Sequence, residues 1–251
     1  MLQSPNLEIA RQQHNGILQA YQQLDIKTYL VTPPVIPSPN LIFCADLFLM
    51  TPEGAILSRP ASSVRAGEER WVARRLADIG IPILRTLQGQ AVFEAADVQW
   101  LNHQTLLIGR GLRTNAEAIC QVSDILAGMG VTVIPVDLPI GSMHLMGILR
   151  FLAQDMAMIW PYRLAWGAVD ALKQAGYQIL HLPDEVEASH KGAFNFVTLG
   201  PYQVLMPAGV PNTRKTLESH GVICHSVDVS ELHKAAGGIG CLTGILERQM
   251  N

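Results

Sequence analysis

Apolar positions along this chain switch repeatedly between two periods. From Leu7 to Leu24 they recur at helical spacing, and Asp25 to Val31 then reads as a short β-rich run. The same change occurs from Glu68–Ile79 into Gly80–Leu84, and from Asn115–Met129 into Gly130–Val136. It recurs from Arg163–Ala175 into Gly176–Leu180, and from Asn212–His220 into Gly221–Val227. In four of the five units a glycine stands at the switch, where a helix C′ residue takes a left-handed backbone. These glycines are 50, 46 and 45 positions apart. Further β-like stretches lie between the units: Leu41–Cys44, Thr105–Gly109, Met156–Trp160 and Tyr202–Met206.

A fixed period built from a helix and strands implies a cyclic or stacked repeat, because one unit cannot bury its own apolar face. A doubly wound sheet also alternates strands with helices. The extra strand before each helix favours a radial arrangement. The expectation is an α/β fold, a five-bladed α/β propeller of pseudo-repeated ββαβ units, forming a single domain over residues 1–251. Pro33, Pro34, Pro37 and Pro39 read as a stiff connection within it. Strand ends and loops then converge near the axis, which predicts one chemically active residue per unit. Asp46, Glu94, His144 and Cys241 stand at such junctions.

Composition narrows the partners. The 251 residues are 49% hydrophobic, enough for a sizeable core, and the formal net charge is -3. No Lys/Arg block suggests nucleic acid, and no apolar run has the length of a membrane span. The start, with Gln3, Ser4, Asn6 and Glu8, is too polar for a signal peptide. Cys44, Cys120, Cys224 and Cys241 form neither a disulfide framework nor a metal-ligand spacing. A reducing cytoplasm is expected, with no metal and no cofactor. The sequence leaves a homodimer open.

The four junction residues suit one chemistry. A thiolate attacks an electrophilic carbon, and a histidine shuttles protons. One carboxylate orients the histidine, and a second meets a cation. If the electrophile is a guanidinium, two carboxylates make sense, because that ion is planar, positive and fork-shaped.

The motifs carrying these residues resemble the guanidine-modifying superfamily: arginine deiminases, dimethylarginine dimethylaminohydrolases and amidinotransferases, which share a five-bladed α/β propeller. Phe93-Glu94-Ala95-Ala96-Asp97-Val98 is similar to its F-E-G-G-D-V. Gly109 to Asn115 is similar to G-x-G-x-R-T, Met143-His144-Leu145 to the catalytic histidine segment, and Gly237 to Cys241 to G-G-x-x-C. Phe43-Cys44-Ala45-Asp46 is similar to F-x-R-D. The resemblance implies Cys241 as nucleophile, His144 as general acid/base, and Glu94 and Asp46 as guanidinium partners, with Glu94 also available to orient His144. It implies substrate contact for Arg113, at a substrate carboxylate. Asp97 reads either as a substrate contact or as a cap of its own loop.

Two departures matter. Ala95-Ala96 replaces a Gly-Gly pair, and Met146 stands where deiminases and amidinotransferases have a substrate-gripping Asp. Dimethylarginine dimethylaminohydrolases also lack that Asp, so the resemblance leans toward a hydrolase acting on arginine or a substituted arginine. An amidinotransferase using the same covalent intermediate, or a non-catalytic guanidine-binding protein, remains open at this stage. Cys44, Cys120 and Cys224 read as packed thiols. Asn195, between Phe194 and Phe196, reads either as a structural hydrogen-bonder or as a fourth unit's contribution to the site.

Overall fold

The computed structural model describes residues 4–248. The first helix, α1 (Leu7–Gln23), starts at Asn6, whose side chain accepts from the N–H groups of Glu8 and Ile9. Such a cap contributes about 1 kcal/mol. Two short 3-10 turns follow, Pro39–Ile42 and Cys44–Asp46. The first sheet is β1 (Phe48–Thr51), β2 (Gly54–Leu57) and, after α2 (Glu69–Asp78), β3 (Ile83–Thr86). The second has β4 (Val98–Asn102), β5 (Thr105–Arg110), α3 (Ala116–Ala127) and β6 (Thr132–Asp137). The third has β7 (Leu149–Phe151), β8 (Met156–Ile159), α4 (Trp166–Gln174) and β9 (Gln178–His181). After α5 (Glu185–Lys191), the fourth has β10 (Val197–Gly200), β11 (Gln203–Pro207), α6 (Pro211–Ser219) and β12 (Ile223–Val227). Two single-turn helices, α7 (Ser230–His233) and α8 (Ile239–Leu242), complete the described chain.

All four sheets obey one rule. The first strand pairs antiparallel with the second, and the third pairs parallel with the second after the helix crosses over. The second strand is therefore central, and β2 and β8 are buried at every position. The outer β3 is mostly exposed. This is the ββαβ unit expected from the periodicity. The helix C′ glycines Gly80, Gly130, Gly176 and Gly221 have φ of 83°, 72°, 80° and 80°. Asp25 takes that position in the first unit, with φ 56°.

Two expected strands are corrected. The run Asp25–Val31 lies outside every sheet, so four sheets form among the described residues. The run Leu41–Cys44 spans the end of one 3-10 turn, Phe43, and the start of the next. There Ser38 caps and Pro39 begins the helical turn, the position where its fixed φ and missing N–H suit a helix start. No described helix is long and apolar enough to cross a membrane.

The turns ahead of the first strands position the site. The turn Cys44–Asp46 precedes β1, Ala95–Asp97 precedes β4, and Leu145–Gly147 precedes β7. The first packs on the second, the second on the third, and α8 packs on the first. Beneath them lies an apolar core that includes Leu47, Phe93, Leu106, Leu145, Leu149 and Phe196, all almost fully buried.

The hairpin between β1 and β2 depends on Gly54. Its φ is 144°, and a Cβ there would stand 2.5 Å from the carbonyl oxygen of Pro82. Gly54→Ala combines a strained backbone with a clash against a fixed peptide group. An expected loss of about 1–3 kcal/mol follows, read as a lower urea midpoint with an unchanged slope.

Candidate active site

Glu94 leaves a short extended segment just before its 3-10 turn and is 1% exposed. A carboxylate so buried must be paired to stay ionised. His144 Nε2 donates to its Oε2 at 2.8 Å, and the Ala61 N–H donates to Oε1 at 3.1 Å. Arg113 Nη1 approaches Oε1 at 3.5 Å, and Arg65 Nη1 approaches Oε2 at 3.7 Å. Burial alone raises the Glu94 pKa, but the hydrogen bond and charge of His144, with Arg113 and Arg65, outweigh it and hold it low. Burial likewise pulls His144 down. The Glu94 hydrogen bond and the charges of Asp46, Asp97 and Glu94 reverse that, so the net direction is upward.

Asp46 is 4% exposed, and one donor atom each from Asp46, Glu94 and His144 lie within 4.8 Å of one another. Donors so spaced can hold a metal ion. Here Arg65 brings positive charge, with Nη1 2.7 Å from Asp46 Oδ2 and Nε 2.8 Å from Glu68. Asp46 thus already grips a guanidinium of its own chain. Its Oδ1 accepts no hydrogen bond among the described residues. Burial pushes the Asp46 pKa up, against the pull of His144 and Arg65.

Asp97, expected either at a substrate or in its loop, is fully buried with both oxygens engaged inside the chain. Thr114 Oγ1 donates to Oδ2 at 2.6 Å, and the Leu145 N–H donates to Oδ1 at 3.0 Å. Burial raises its pKa to about 6. This geometry anchors the turn that follows His144. Arg113 leans on Glu94, while its buried Nε has no hydrogen-bond partner among the described residues.

Cys241 lies in α8, behind Gly238 and Gly240. Asn195 holds it from two sides: Nδ2 donates to Sγ at 3.1 Å, and the Cys241 N–H donates to Oδ1 at 3.1 Å. The Gly240 N–H also donates to the Asn195 carbonyl at 3.3 Å. Burial, then the charge of Asp46, pushes the thiol pKa up; Asn195, the Gly238 N–H and Arg150 oppose this. The two open readings of Asn195 thus merge, since its structural bonds are bonds to the candidate nucleophile. Met146 is 6% exposed, with its methyl 3.1 Å from where a Gly240 Cβ would stand. An apolar group therefore faces the turn that carries Cys241.

Asp46, Glu94, His144, Asn195 and Cys241 come from successive units, each ahead of a sheet or in the tail. Sequence reasoning did not single out Arg65, Glu68 or Arg150. Arg65 sits in a Ser-rich loop without a motif, and only its 5% exposure marks it. Cys224 is buried as expected and Cys44 partly so, but Cys120 is exposed on the outer face of α3, a correction to its reading as a packed thiol.

Four ββαβ sheets, with Asp, Glu, His and Cys side chains supplied by separate units, place the chain among the guanidine-modifying enzymes. The model of the eukaryotic N,N dimethylarginine dimethylhydrolase family matches residues 3–246, and the chain belongs to this family of hydrolases. It is 28% identical over 242 residues to an N(G),N(G)-dimethylarginine dimethylaminohydrolase of Pseudomonas aeruginosa, covering 96% of this chain and 90% of the relative. A solved structure of a Cys-to-Ser mutant of the enzyme from that organism, complexed with citrulline, superposes with a TM-score of 0.83 at 27% identity; the match covers 96% and 90% of the two chains. A His-to-Gly dimethylarginine dimethylaminohydrolase carrying an adduct with S-methyl-L-thiocitrulline gives the same TM-score at 28% identity, with the same coverage.

Proposed function

We propose that this protein hydrolyses the guanidinium carbon–nitrogen bond of arginine or a substituted arginine, using Cys241 as nucleophile and His144 as general acid/base. The observation that carries this reading is the buried Glu94–His144 pair, with Asp46 beside it and Cys241 within reach of the Asp46 charge. A thiolate adds to the guanidinium carbon. His144 protonates the departing amine as the carbon–nitrogen bond breaks, leaving an amidino-thioether on Cys241. His144 then takes a proton from water, which attacks the same carbon. The thiolate leaves, and a ureido product is released.

Glu94 orients His144 and keeps it protonatable. Asp46 offers Oδ1 to the substrate guanidinium while Oδ2 holds Arg65, and Arg113 faces the substrate's carboxylate. Asp97 positions the His144 turn. Met146 leaves room for an N-substituted nitrogen better than a carboxylate would. The site is built within one domain as a five-unit propeller, a reading supported by the turn-to-turn packing around it. Four units close as sheets, and the tail with Cys241 supplies the fifth contribution. The setting is cytoplasmic.

A panel of arginine, methylated arginines, agmatine and short guanidino acids tests the substrate class. The expected result is stoichiometric ureido product and released amine from an arginine derivative, with the methylated forms preferred. No turnover across the whole panel defeats the reading.

A further inference from the structure

The carboxylates of the site make a poor setting for a resting thiolate, since burial and Asp46 both oppose ionisation of Cys241. One buried cation stands on the other side. Arg150, on β7, is 9% exposed, and its guanidinium lies over the Phe196 ring at 5.2 Å. Among the described residues, no carboxylate lies within ion-pair distance of it and no hydrogen bond engages its side chain. A charge this buried normally has a partner. Its Nη2 stands 2.5 Å from where a Cβ of Gly240 would be, so only glycine before Cys241 admits it this close. Asn195, which holds Sγ, borders the same Gly240 position at 3.0 Å.

We propose that Arg150 is the positioning residue that stabilises the Cys241 thiolate before substrate arrives, with Gly240 shaped to let its guanidinium approach. This rests on Cys241 being the nucleophile. It adds a cation beside the nucleophile's own turn, whereas Arg65 and Arg113 are already paired with Asp46, Glu68 and Glu94. Of the other charges at the site, Asp46 opposes ionisation, and the cations His144 and Arg65 are engaged by Glu94 and Asp46. Asp46 comes from the turn packed on α8, with the uncharged thiol of Cys44, whose pKa burial raises to about 11, on the same turn. β11, also packed on α8, brings Gln203 to Pro207 and no titratable side chain. Tyr21 and Arg248 are the further ionisable groups acting on Arg150, and burial raises the Tyr21 pKa to about 12, so it stays neutral.

The test is the pH dependence of Cys241 alkylation by iodoacetamide, read peptide by peptide so that exposed Cys120 does not interfere. In Arg150→Met the apparent thiol pKa is expected to rise by about one unit, slowing alkylation at neutral pH about tenfold. Arg150→Lys, which keeps the charge, is expected to restore the rate to within about threefold. Arg150→Gln carries the same expectation as Arg150→Met should the latter not fold, as judged by near-ultraviolet circular dichroism. An unchanged profile in the folded neutral variant overturns the proposal, as does a Lys variant as slow as the neutral one. The readout is thiol reactivity, so it stands or falls apart from turnover on any guanidine.

Discussion

Cys241→Ser is expected to lower turnover by at least about a thousandfold, because a serine hydroxyl has no nearby group arranged to ionise it. The substitution is small and leaves the backbone hydrogen bond from residue 241 to Asn195 Oδ1 in place. Substrate should still bind, since Asp46, Glu94 and Arg113 are untouched. Intact-mass spectrometry of the native enzyme mixed with a slow guanidine substrate should show a covalent increment on the Cys241 peptide. The variant should show none. Normal turnover by the serine variant, or an adduct on Cys44, Cys120 or Cys224, would remove Cys241 from its assigned role.

What the sequence made legible was local, and what it concealed depended on partners elsewhere. Helix-to-strand switches at Gly80, Gly130, Gly176 and Gly221 could be read because a left-handed residue and a change of period are properties of a few consecutive positions. Asp25–Val31 has the same local pattern, yet a strand needs a neighbour to pair with, and none forms there among the described residues. Leu41–Cys44 is an apolar run too short for periodicity to decide, and Ser38-Pro39 ahead of it was the missed sign of a helical turn. The same division holds in the site. Asp46, Glu94, His144 and Cys241 lie in recognisable motifs. Arg65 and Arg150 are ordinary arginines in sequence, and their weight comes from burial, a property of packing. Asp97 sits in a motif, but the Thr114 and Leu145 N–H bonds to its two oxygens are a property of packing that the motif does not show.

Glu94→Gln should show how far the histidine depends on its carboxylate. The replacement is nearly the same size, so the effect is chiefly charge. His144 loses the hydrogen bond and charge of Glu94, which help lift its pKa, and only Asp46 and Asp97 then oppose burial, the largest single influence on it. Its pKa is therefore expected to fall. The branch of kcat/KM that needs a protonated His144 to expel the amine should move to lower pH. At neutral pH turnover should drop by about a hundredfold to ten-thousandfold, the range for losing general acid catalysis. Stability should respond too, because Arg113 and Arg65 also lose a neighbouring charge, and removing one member of a buried ionic cluster costs about 3–5 kcal/mol. The sign with pH follows from the two shifts. In the native protein, the raised His144 pKa gives stability that is complete below its unfolded value and is lost as pH rises through the folded one. The lowered Glu94 pKa gives stability present above its unfolded value and lost as pH falls through the folded one. The pair contributes most between the ordinary carboxylate and imidazole ranges. The difference in urea-unfolding free energy between native protein and variant should peak there and narrow on both sides. A constant difference across that window, with an unshifted kcat/KM profile, would mean that Glu94 serves packing alone.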